Sequence, residues 1–274
     1  MHRWRDGHGH NPGARLTTLL QETPAEGVVL LRFNRPERLN ALDSTLVGEL
    51  FDTFEALSSD PQSRVVIITG AGRGFCSGLD VRDFGPGIVE ASAPAIDRMR
   101  FQERMAALPQ ALRALPQPVI AAINGPAVGG GLAVCLAADV RICSGSASFG
   151  NGAILLGLSG AEMGMSYFLP RIVGLSVAAD WMLTGRTVAA EEADRRGLVS
   201  ELVDGERLID RAIELASQIA AHAPLGIQMT KRAIQANADA PDLMNAIELE
   251  NRNQVITSAT EEAAAAGRRW TERR

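Results

Sequence analysis

Two short apolar runs that each lead into a glycine-rich turn most constrain how this chain can fold. Residues 65–68 (VVII) precede the glycines at 70, 72 and 74, and residues 119–123 precede the glycines at 125 and 129–131. Short β-branched runs bounded by turn residues are typical of buried strands. Helical spacing of apolar residues lies between and after these runs, so the pattern predicts strands that alternate with helices in an α/β core.

The predicted elements continue this alternation up to about residue 205. A hairpin opens the core, and Asp43 or Ser44 is expected to cap the first helix. The predicted strands span residues 15–22, 27–33, 65–68, 119–123, 140–143 and 198–203, and the predicted helices span 44–57, 96–114, 130–137, 159–170, 176–184 and 190–196.

The last quarter of the sequence has a different character. From residue 206 the pattern is almost wholly helical, and Pro224 and Pro241 divide it into three segments. These segments are rich in alanine and fairly polar, so their helices are expected to bury one face against something else. Residues 1–13 are polar and contain glycine and proline, which is typical of a disordered tail. We therefore predict a tail at 1–13, a core at 14–205 and a helical region at 206–274.

Composition limits the function classes. The chain has 274 residues and is 46% hydrophobic, which is enough for a substantial core, and its net charge of −5 argues against nucleic acid as the main partner. No apolar run approaches the ~20 residues that span a bilayer. The N-terminus lacks the apolar stretch of a signal peptide. We therefore expect a cytoplasmic protein with no membrane partner.

The reactive side chains narrow the chemistry further. Lys231 is the only lysine, so a catalytic Schiff base is nearly excluded. Cys76, Cys135 and Cys143 are odd in number and lie in apolar or glycine-rich stretches, which is typical of reduced, buried thiols. The histidines near the N-terminus are interpreted as part of the polar tail, and no metal site is predicted.

The first glycine-rich segment superficially suggests a dinucleotide-binding turn. The spacing of the glycines at 70, 72 and 74 does not match G-x-G-x-x-G. It is closer to the glycine pattern of short-chain dehydrogenases, but Cys76 stands where their last glycine belongs. Those enzymes also need a Tyr-x-x-x-Lys pair, whereas Tyr167 is followed four residues later by Arg171. Nicotinamide chemistry is therefore disfavoured.

The second glycine-rich segment is more informative. The glycines at 129–131 are predicted to open a helix, whose first N–H groups have no partner within the helix. The helix dipole adds partial positive charge at this end, which favours an oxygen-bearing ligand. Glycine at 130 would let such a ligand approach the backbone. A tight strand-to-helix turn that needs glycine for packing explains the same residues equally well.

Several motifs taken together resemble one known family. They are RPERLNAL at 35–42, GRGFCSGLDV at 72–81, NGPAVGGGLAVCLAADVRI at 124–142, LTGR at 183–186, EEADRRGLV at 191–199 and AAHAPLGIQMTKRAI at 220–234. In this order and spacing they are similar to the crotonase superfamily, the enoyl-CoA hydratase/isomerase enzymes. The resemblance covers about residues 15–270. It implies a crotonase-like α/β fold, a spiral of repeated ββα units, with a C-terminal all-helical trimerisation region.

The resemblance also implies a substrate and a site. Crotonases bind acyl-CoA thioesters and stabilise a thioester enolate with two backbone N–H groups, which by motif position belong to Leu79 and Gly130. Preorganised donors of this kind strongly stabilise developing oxyanion charge. No separate cofactor is implied, because coenzyme A is part of the substrate. The family's coenzyme A contacts correspond to Arg38, Leu39, Ala41, Gly78, Asp80 and Val81.

Two positions depart from the family's hydratases. Those enzymes use two glutamates to activate and deliver water, and the corresponding residues here are Ala133 and Ala153. Alanine can neither accept nor donate a proton, so we expect two-glutamate hydration to be severely impaired. Glu162 is the remaining carboxylate at a position where some isomerases of the family carry an acid. Its apolar, methionine-rich surroundings are expected to raise its pKa.

Glu162 also has a purely structural interpretation. Ser159-x-x-Glu162 has the spacing of a helix capping box, in which the glutamate only satisfies a backbone N–H. The favoured hypothesis is an enoyl-CoA isomerase in which Leu79 and Gly130 hold the enolate and Glu162 carries the proton. The alternatives are a hydratase or another enolate reaction, such as hydrolysis or decarboxylation, and an acyl-CoA binder without catalysis. The resemblance further implies a homotrimer or hexamer.

Overall fold

The computed structural model describes residues 17–83 and 94–272. A six-stranded sheet forms its centre, in the order β1-β2-β3-β4-β6-β9, and only the β1–β2 hairpin is antiparallel. The strands of this sheet are β1 (Leu19–Ala25), β2 (Val28–Phe33), β3 (Val65–Gly70), β4 (Val119–Ile123), β6 (Val140–Ser144) and β9 (Glu201–Val203).

A second, smaller sheet lies at the carboxyl end of the parallel strands. It consists of β5 (Ala127–Val128), β7 (Ser148–Gly150) and β8 (Val188–Ala189). Two isolated bridges extend this region, one between Cys76 and Ala127 and one between Leu42 and Leu79. The glycine-rich segments therefore lie next to each other beyond the ends of β3 and β4.

Helices cover both faces of the central sheet. They are α1 (Ser44–Ser58), α2 (Ala95–Ala114), α3 (Gly130–Ala137), α4 (Met165–Val173), α5 (Leu175–Thr184), α6 (Ala190–Arg195), α7 (Leu208–Ala220), α8 (Pro224–Asn237), α9 (Leu243–Ser258) and α10 (Glu261–Glu272). Alternate strand residues point to opposite faces. On β3, Val65 and Ile67 pack against α7, whereas Val66 and Ile68 face the larger core that contains α1, α2 and α3. Burial on both sides explains why these strands are continuously apolar.

The C-terminal helices are anchored to the sheet by a buried ion pair. Lys231 on α8 is 6% exposed, and its Nζ lies 2.8 Å from Asp139 Oδ2 and donates to the Gln117 carbonyl oxygen at 2.8 Å. Beyond α8, neither α9 nor α10 buries a residue. Apolar side chains of α9 such as Leu243 and Val255 are 71% exposed. None of the helices in the described ranges is long and apolar enough to cross a membrane.

Most predicted elements are present, but the helix predicted at 159–170 is wrong. The helix begins at Met165 and continues through Pro170 to Val173. Met163 (φ 48°) and Gly164 (φ 85°) have left-handed backbone conformations, which a helix cannot include. The capping-box interpretation is therefore wrong as well, because Glu162 lies before the helix and Ser159 Oγ accepts from the N–H of Ala161.

Two further predictions need correction or lie outside the description. The C-terminal region contains a fourth helix, because α9 ends at Ser258 and the Oγ1 of Thr260, just before α10, accepts from Ala263 N–H in the first turn of that helix. The strand predicted at 198–203 is shorter, since Gly197 (φ 75°) and a hydrogen bond from Leu198 N–H to the Ala193 carbonyl extend the preceding turn. The predicted tail at 1–13 lies outside the described residues, and the boundary at 206 stays a prediction.

Candidate active site

The main-chain N–H of Leu79 points away from Leu42, the residue with which its neighbours Gly78 and Asp80 pair. Leu42 N–H donates to the Gly78 carbonyl at 2.7 Å, and Asp80 N–H donates to the Leu42 carbonyl at 2.9 Å. Successive N–H groups of an extended segment point in opposite directions, so the Leu79 N–H faces the other side. Within residues 17–83 and 94–272 it donates to no protein oxygen.

The second candidate donor is the N–H of Gly130, at the first position of α3. Gly129 precedes it with φ 52° and ψ −121°, and the first hydrogen bond of the helix runs from Ala133 N–H to the Gly129 carbonyl. The Gly130 N–H has no acceptor among the described residues. An ideal Cβ built on Gly78 would lie 3.5 Å from the Gly130 nitrogen. The segment that carries Leu79 therefore lies directly beside the N-terminus of α3.

Close packing and ligand access both require glycine here. A Cβ on Gly131 would lie 2.2 Å from the Cys76 carbonyl oxygen, so this glycine is needed for packing. A Cβ on Gly130 would lie 2.9 Å from Leu42 Cδ1 and beside the free N–H. The sequence leaves open whether these glycines serve packing or ligand access. Packing applies to Gly131, and ligand access applies to Gly130.

Glu162 lies at the same helix terminus. Its Oε1 would be 3.8 Å from an ideal Cβ on Gly129, the residue before the Gly130 donor. The side chain is half-buried, and burial raises the pKa of its carboxyl group above the usual range. No hydrogen bond or ion pair links this carboxylate to another residue of the described chain. An unpartnered carboxylate of raised pKa beside free N–H donors is available for proton transfer.

A strained turn fixes the backbone after Glu162. Met163 has φ 48°, which is unusual for a residue other than glycine, and Met165 N–H donates to the Glu162 carbonyl at 2.9 Å. The Met163 side chain is 3% exposed, and its Sδ would be 3.4 Å from a Cβ on Gly130. The side chain next to Glu162 therefore packs under the start of α3, which holds the acid close to the helix terminus.

The two alanines bring no ionisable group to the site. Ala133 is fully buried on the second turn of α3. Ala153 lies in a 3₁₀ turn at 152–156, where its N–H donates to Asn151 Oδ1 at 3.1 Å. Both side chains are methyl groups, so Glu162 is the acid that the structure places at this helix terminus.

The positions expected to contact coenzyme A lie on two facing segments. Arg38, Leu39 and Ala41 follow β2, and Gly78, Asp80 and Val81 lie opposite. The segments are joined by a hydrogen bond from Ser77 N–H to the Leu39 carbonyl at 3.0 Å. Among these side chains Val81 is 65% exposed, and that of Arg38 is 29% exposed.

The Asp80 carboxylate is fully occupied by the protein. Its oxygens lie 2.8 Å from Arg35 Nη2 and 3.6 Å from Arg38 Nη2, and one accepts from Arg82 N–H at 3.1 Å. Burial disfavours the ionised carboxylate, but these hydrogen bonds and positive charges outweigh it, so the pKa of Asp80 is lowered. The Asp80 side chain therefore helps to hold the segment that carries Leu79.

Comparison with known proteins identifies the family. A family model described as enoyl-CoA hydratase/isomerase matches residues 23–274. The chain belongs to this family. A Mycobacterium leprae protein named "probable enoyl-CoA hydratase echA12" is 44% identical over 247 residues, which cover 88% of this chain and 84% of that protein. The similarity is therefore not confined to the individual motifs but covers nearly the whole chain.

Solved structures of family members share the fold. A "probable enoyl-CoA hydratase/isomerase" from Mycobacterium abscessus is 40% identical with a TM-score of 0.83, and the match covers 92% of this chain and 96% of that one. A monofunctional enoyl-CoA isomerase from M. smegmatis is 39% identical with a TM-score of 0.71, and the match covers 84% and 98%. The predicted crotonase-type α/β fold is thus confirmed. The names of these relatives include both hydratase and isomerase.

Sequence reasoning missed two residues that organise this enoyl-CoA hydratase/isomerase family site. Arg35 joins three segments around Leu79, although within its motif it is only the residue before a proline. Asn40 is fully buried with φ 57°, and its Nδ2 donates to the carbonyls of Ala71 and Gly74 at 2.9 and 2.7 Å. An asparagine soon after a proline could have indicated a left-handed turn, but its partners are about 30 residues away in sequence.

Proposed function

We propose that this protein moves a carbon–carbon double bond within an acyl-CoA thioester, from a 3-enoyl to a 2-enoyl group. The N–H groups of Leu79 and Gly130 donate hydrogen bonds to the thioester oxygen, and Glu162 removes a proton from the α-carbon. The electrons move onto the oxygen as an enolate, and Glu162 returns the proton at the γ-carbon. No proton is gained or lost overall, so a single acid–base residue suffices.

The observation that carries this proposal is the position of Glu162. Its carboxylate lies at the N-terminus of α3, beside the free Gly130 N–H and without a protein partner in the described ranges. A raised pKa strengthens the carboxylate as a base toward a weakly acidic carbon. The M. smegmatis relative named as an isomerase supports the same reaction class.

The test is conversion of a 3-enoyl-CoA to the 2-enoyl-CoA by the wild type and by Glu162→Gln. We expect the variant to lower kcat by about 10²–10⁴-fold, the usual contribution of a general acid–base. Glu55→Gln is the matched control, because Glu55 is exposed on α1 and should leave turnover unchanged. Equal turnover by Glu162→Gln and the wild type would exclude this role for Glu162.

Hydration is the second candidate, because several relatives carry the name hydratase. The methyl groups of Ala133 and Ala153 cannot activate water, so a hydratase would need another route. Hydration of 2-enoyl-CoA that survives Glu162→Gln would favour this candidate. A non-catalytic acyl-CoA binder would instead bind the thioester without exchanging its α-protons for solvent deuterium.

A homotrimer, or a hexamer of two trimers, is the assembly that we propose for the enzyme. The exposed apolar side chains of α9, including Leu243 and Val255, support it because an isolated chain leaves them in water. Light scattering at micromolar concentration tests this assembly directly. A monomeric mass would overturn it.

A further inference from the structure

Arg35 lies behind the segment that carries Leu79. It follows β2 at the break made by Pro36, and its side chain is 13% exposed. The guanidinium contacts three separate groups: Nη1 donates to the Ala41 carbonyl, Nε lies 3.0 Å from Asp43 Oδ2, and Nη2 donates to Asp80 Oδ2 at 2.8 Å. All three of its nitrogens are thus bonded to the protein.

The three contacts tie the donor segment to its neighbours. Asp80 is the residue directly after Leu79, so its bond to Arg35 holds the end of the peptide that follows the donor. The Ala41 carbonyl belongs to the strand that pairs with residues 78–80 through Leu42. Asp43 caps α1 by accepting from Leu46 N–H at 2.7 Å, so it ties the guanidinium to a rigid helix.

We propose that Arg35 is a positioning residue that fixes the direction of the Leu79 N–H through simultaneous contacts with Ala41, Asp43 and Asp80. Each of its three nitrogens contacts a protein oxygen, so the role assigned to Arg35 acts through the donor segment and not through the substrate. The proposal rests on the role of Leu79 in the proposed function. Lysine cannot replace Arg35, since an ammonium group lacks the planar guanidinium geometry that contacts three groups at once.

The expected consequence is a loss of carbonyl polarisation with little loss of binding. Without the guanidinium, Gly78 and Asp80 keep their backbone hydrogen bonds with Leu42, but the segment loses the anchor at the Asp80 carboxylate. A displacement of about 1 Å in a catalytic group can lower turnover about 10²-fold. We therefore expect Arg35→Lys to lower kcat by about 10–100-fold while KM changes less than about threefold.

The decisive readout is the infrared carbonyl stretch of bound [1-¹³C]hexanoyl-CoA. This saturated thioester can be neither isomerised nor hydrated, so the readout depends on the oxyanion hole alone. In the wild type, donation by both N–H groups should shift the stretch to lower frequency. In Arg35→Lys more than half of that shift should be lost. Arg211→Lys is the matched control, because Arg211 also bridges two carboxylates, on α7 at the other face of the sheet.

The outcomes separate this proposal from the proposed function. No shift in the wild type would overturn the oxyanion hole itself. A full shift in both the wild type and a folded Arg35→Lys would overturn only the role of Arg35. If Arg35→Lys does not fold, Asp43→Asn takes its place, since asparagine keeps the helix cap but weakens the contact with Arg35 Nε. A partial loss of the shift is then expected, and an unchanged shift overturns the proposal.

Discussion

Replacing Gly131 by alanine tests whether the contact beneath α3 sets the position of the Leu79 donor. An ideal Cβ at residue 131 would lie 2.2 Å from the Cys76 carbonyl oxygen and 2.8 Å from the Cys76 Cβ. Real Cβ atoms stay at least 3.0 Å from such neighbours, so the two segments must separate by about 0.8 Å. Cys76 lies only three residues before Leu79, and both belong to the segment that would have to move.

The change in the free energy of unfolding follows from two opposed effects. Alanine favours a helix over glycine by about 1 kcal/mol, whereas overpacking a filled site costs about 1–3 kcal/mol. We expect the free energy of unfolding of Gly131→Ala to fall by up to about 2 kcal/mol. The displaced donor should lower kcat for the 3-enoyl-CoA substrate by about 10–100-fold, which is the larger effect.

The assays are urea unfolding and initial rates, with Gly48→Ala as the control. Gly48 lies within α1, and a Cβ there would meet nothing within 4 Å. This control should gain up to about 1 kcal/mol of stability and keep its turnover. A Gly131→Ala enzyme with wild-type kcat would show that the donor segment is not held by this contact.

Four further predictions concern other parts of the site and its support. The pH profile of kcat/KM should have an acid limb above pH 4.5 that disappears in Glu162→Gln, because burial raises the pKa of the base; a limb at or below 4.5 contradicts this. Since the raised pKa makes ionised Glu162 destabilising, Glu162→Gln should be more stable than the wild type near pH 7, and the difference should vanish below the carboxyl's unfolded pKa. Asn40→Ala should cost about 2–4 kcal/mol in urea unfolding, because the Ala71 carbonyl loses its donor and Arg35 N–H loses its acceptor; a cost under about 0.5 kcal/mol refutes this. Lys231→Met should cost about 2–4 kcal/mol because the Asp139 carboxylate loses its cation, and Lys231→Met with Asp139→Asn should recover part of that loss, since asparagine is neutral and still offers an oxygen to Val119 N–H.

Local signals predicted the fold better than they predicted the site. The strand at 119–123 and the helix at 130–137 agree residue for residue, because Pro118 and Gly125 flank the strand and Gly129 precedes the helix. The helix before Pro170 was misplaced because the apolar spacing continues upstream through residues whose backbone is left-handed. Nothing in the sequence marks Met163 for that conformation, which depends on packing under α3.

The residues of the site show the same difference between local signals and long-range contacts. Glu162 was found through its place in a family motif, and the structure removes the competing cap interpretation. Arg35 could not be found in this way, because its importance lies in a contact with Asp80, which is 45 residues away in sequence. A long-range ion network leaves no periodic pattern in a sequence, whereas a strand or a capped helix does.

The buried ion pair on α8 has a chemical consequence for an enzyme that handles activated thioesters. Acyl-CoA transfers its acyl group to neutral amines, and lysine side chains are the usual acceptors on proteins. This chain has a single lysine, and that residue is 6% exposed with its nitrogen shared between a carboxylate and a main-chain oxygen. Apart from four histidines, all other basic side chains are guanidinium groups, which stay protonated. The folded enzyme therefore offers its own substrates no accessible side-chain amine to modify.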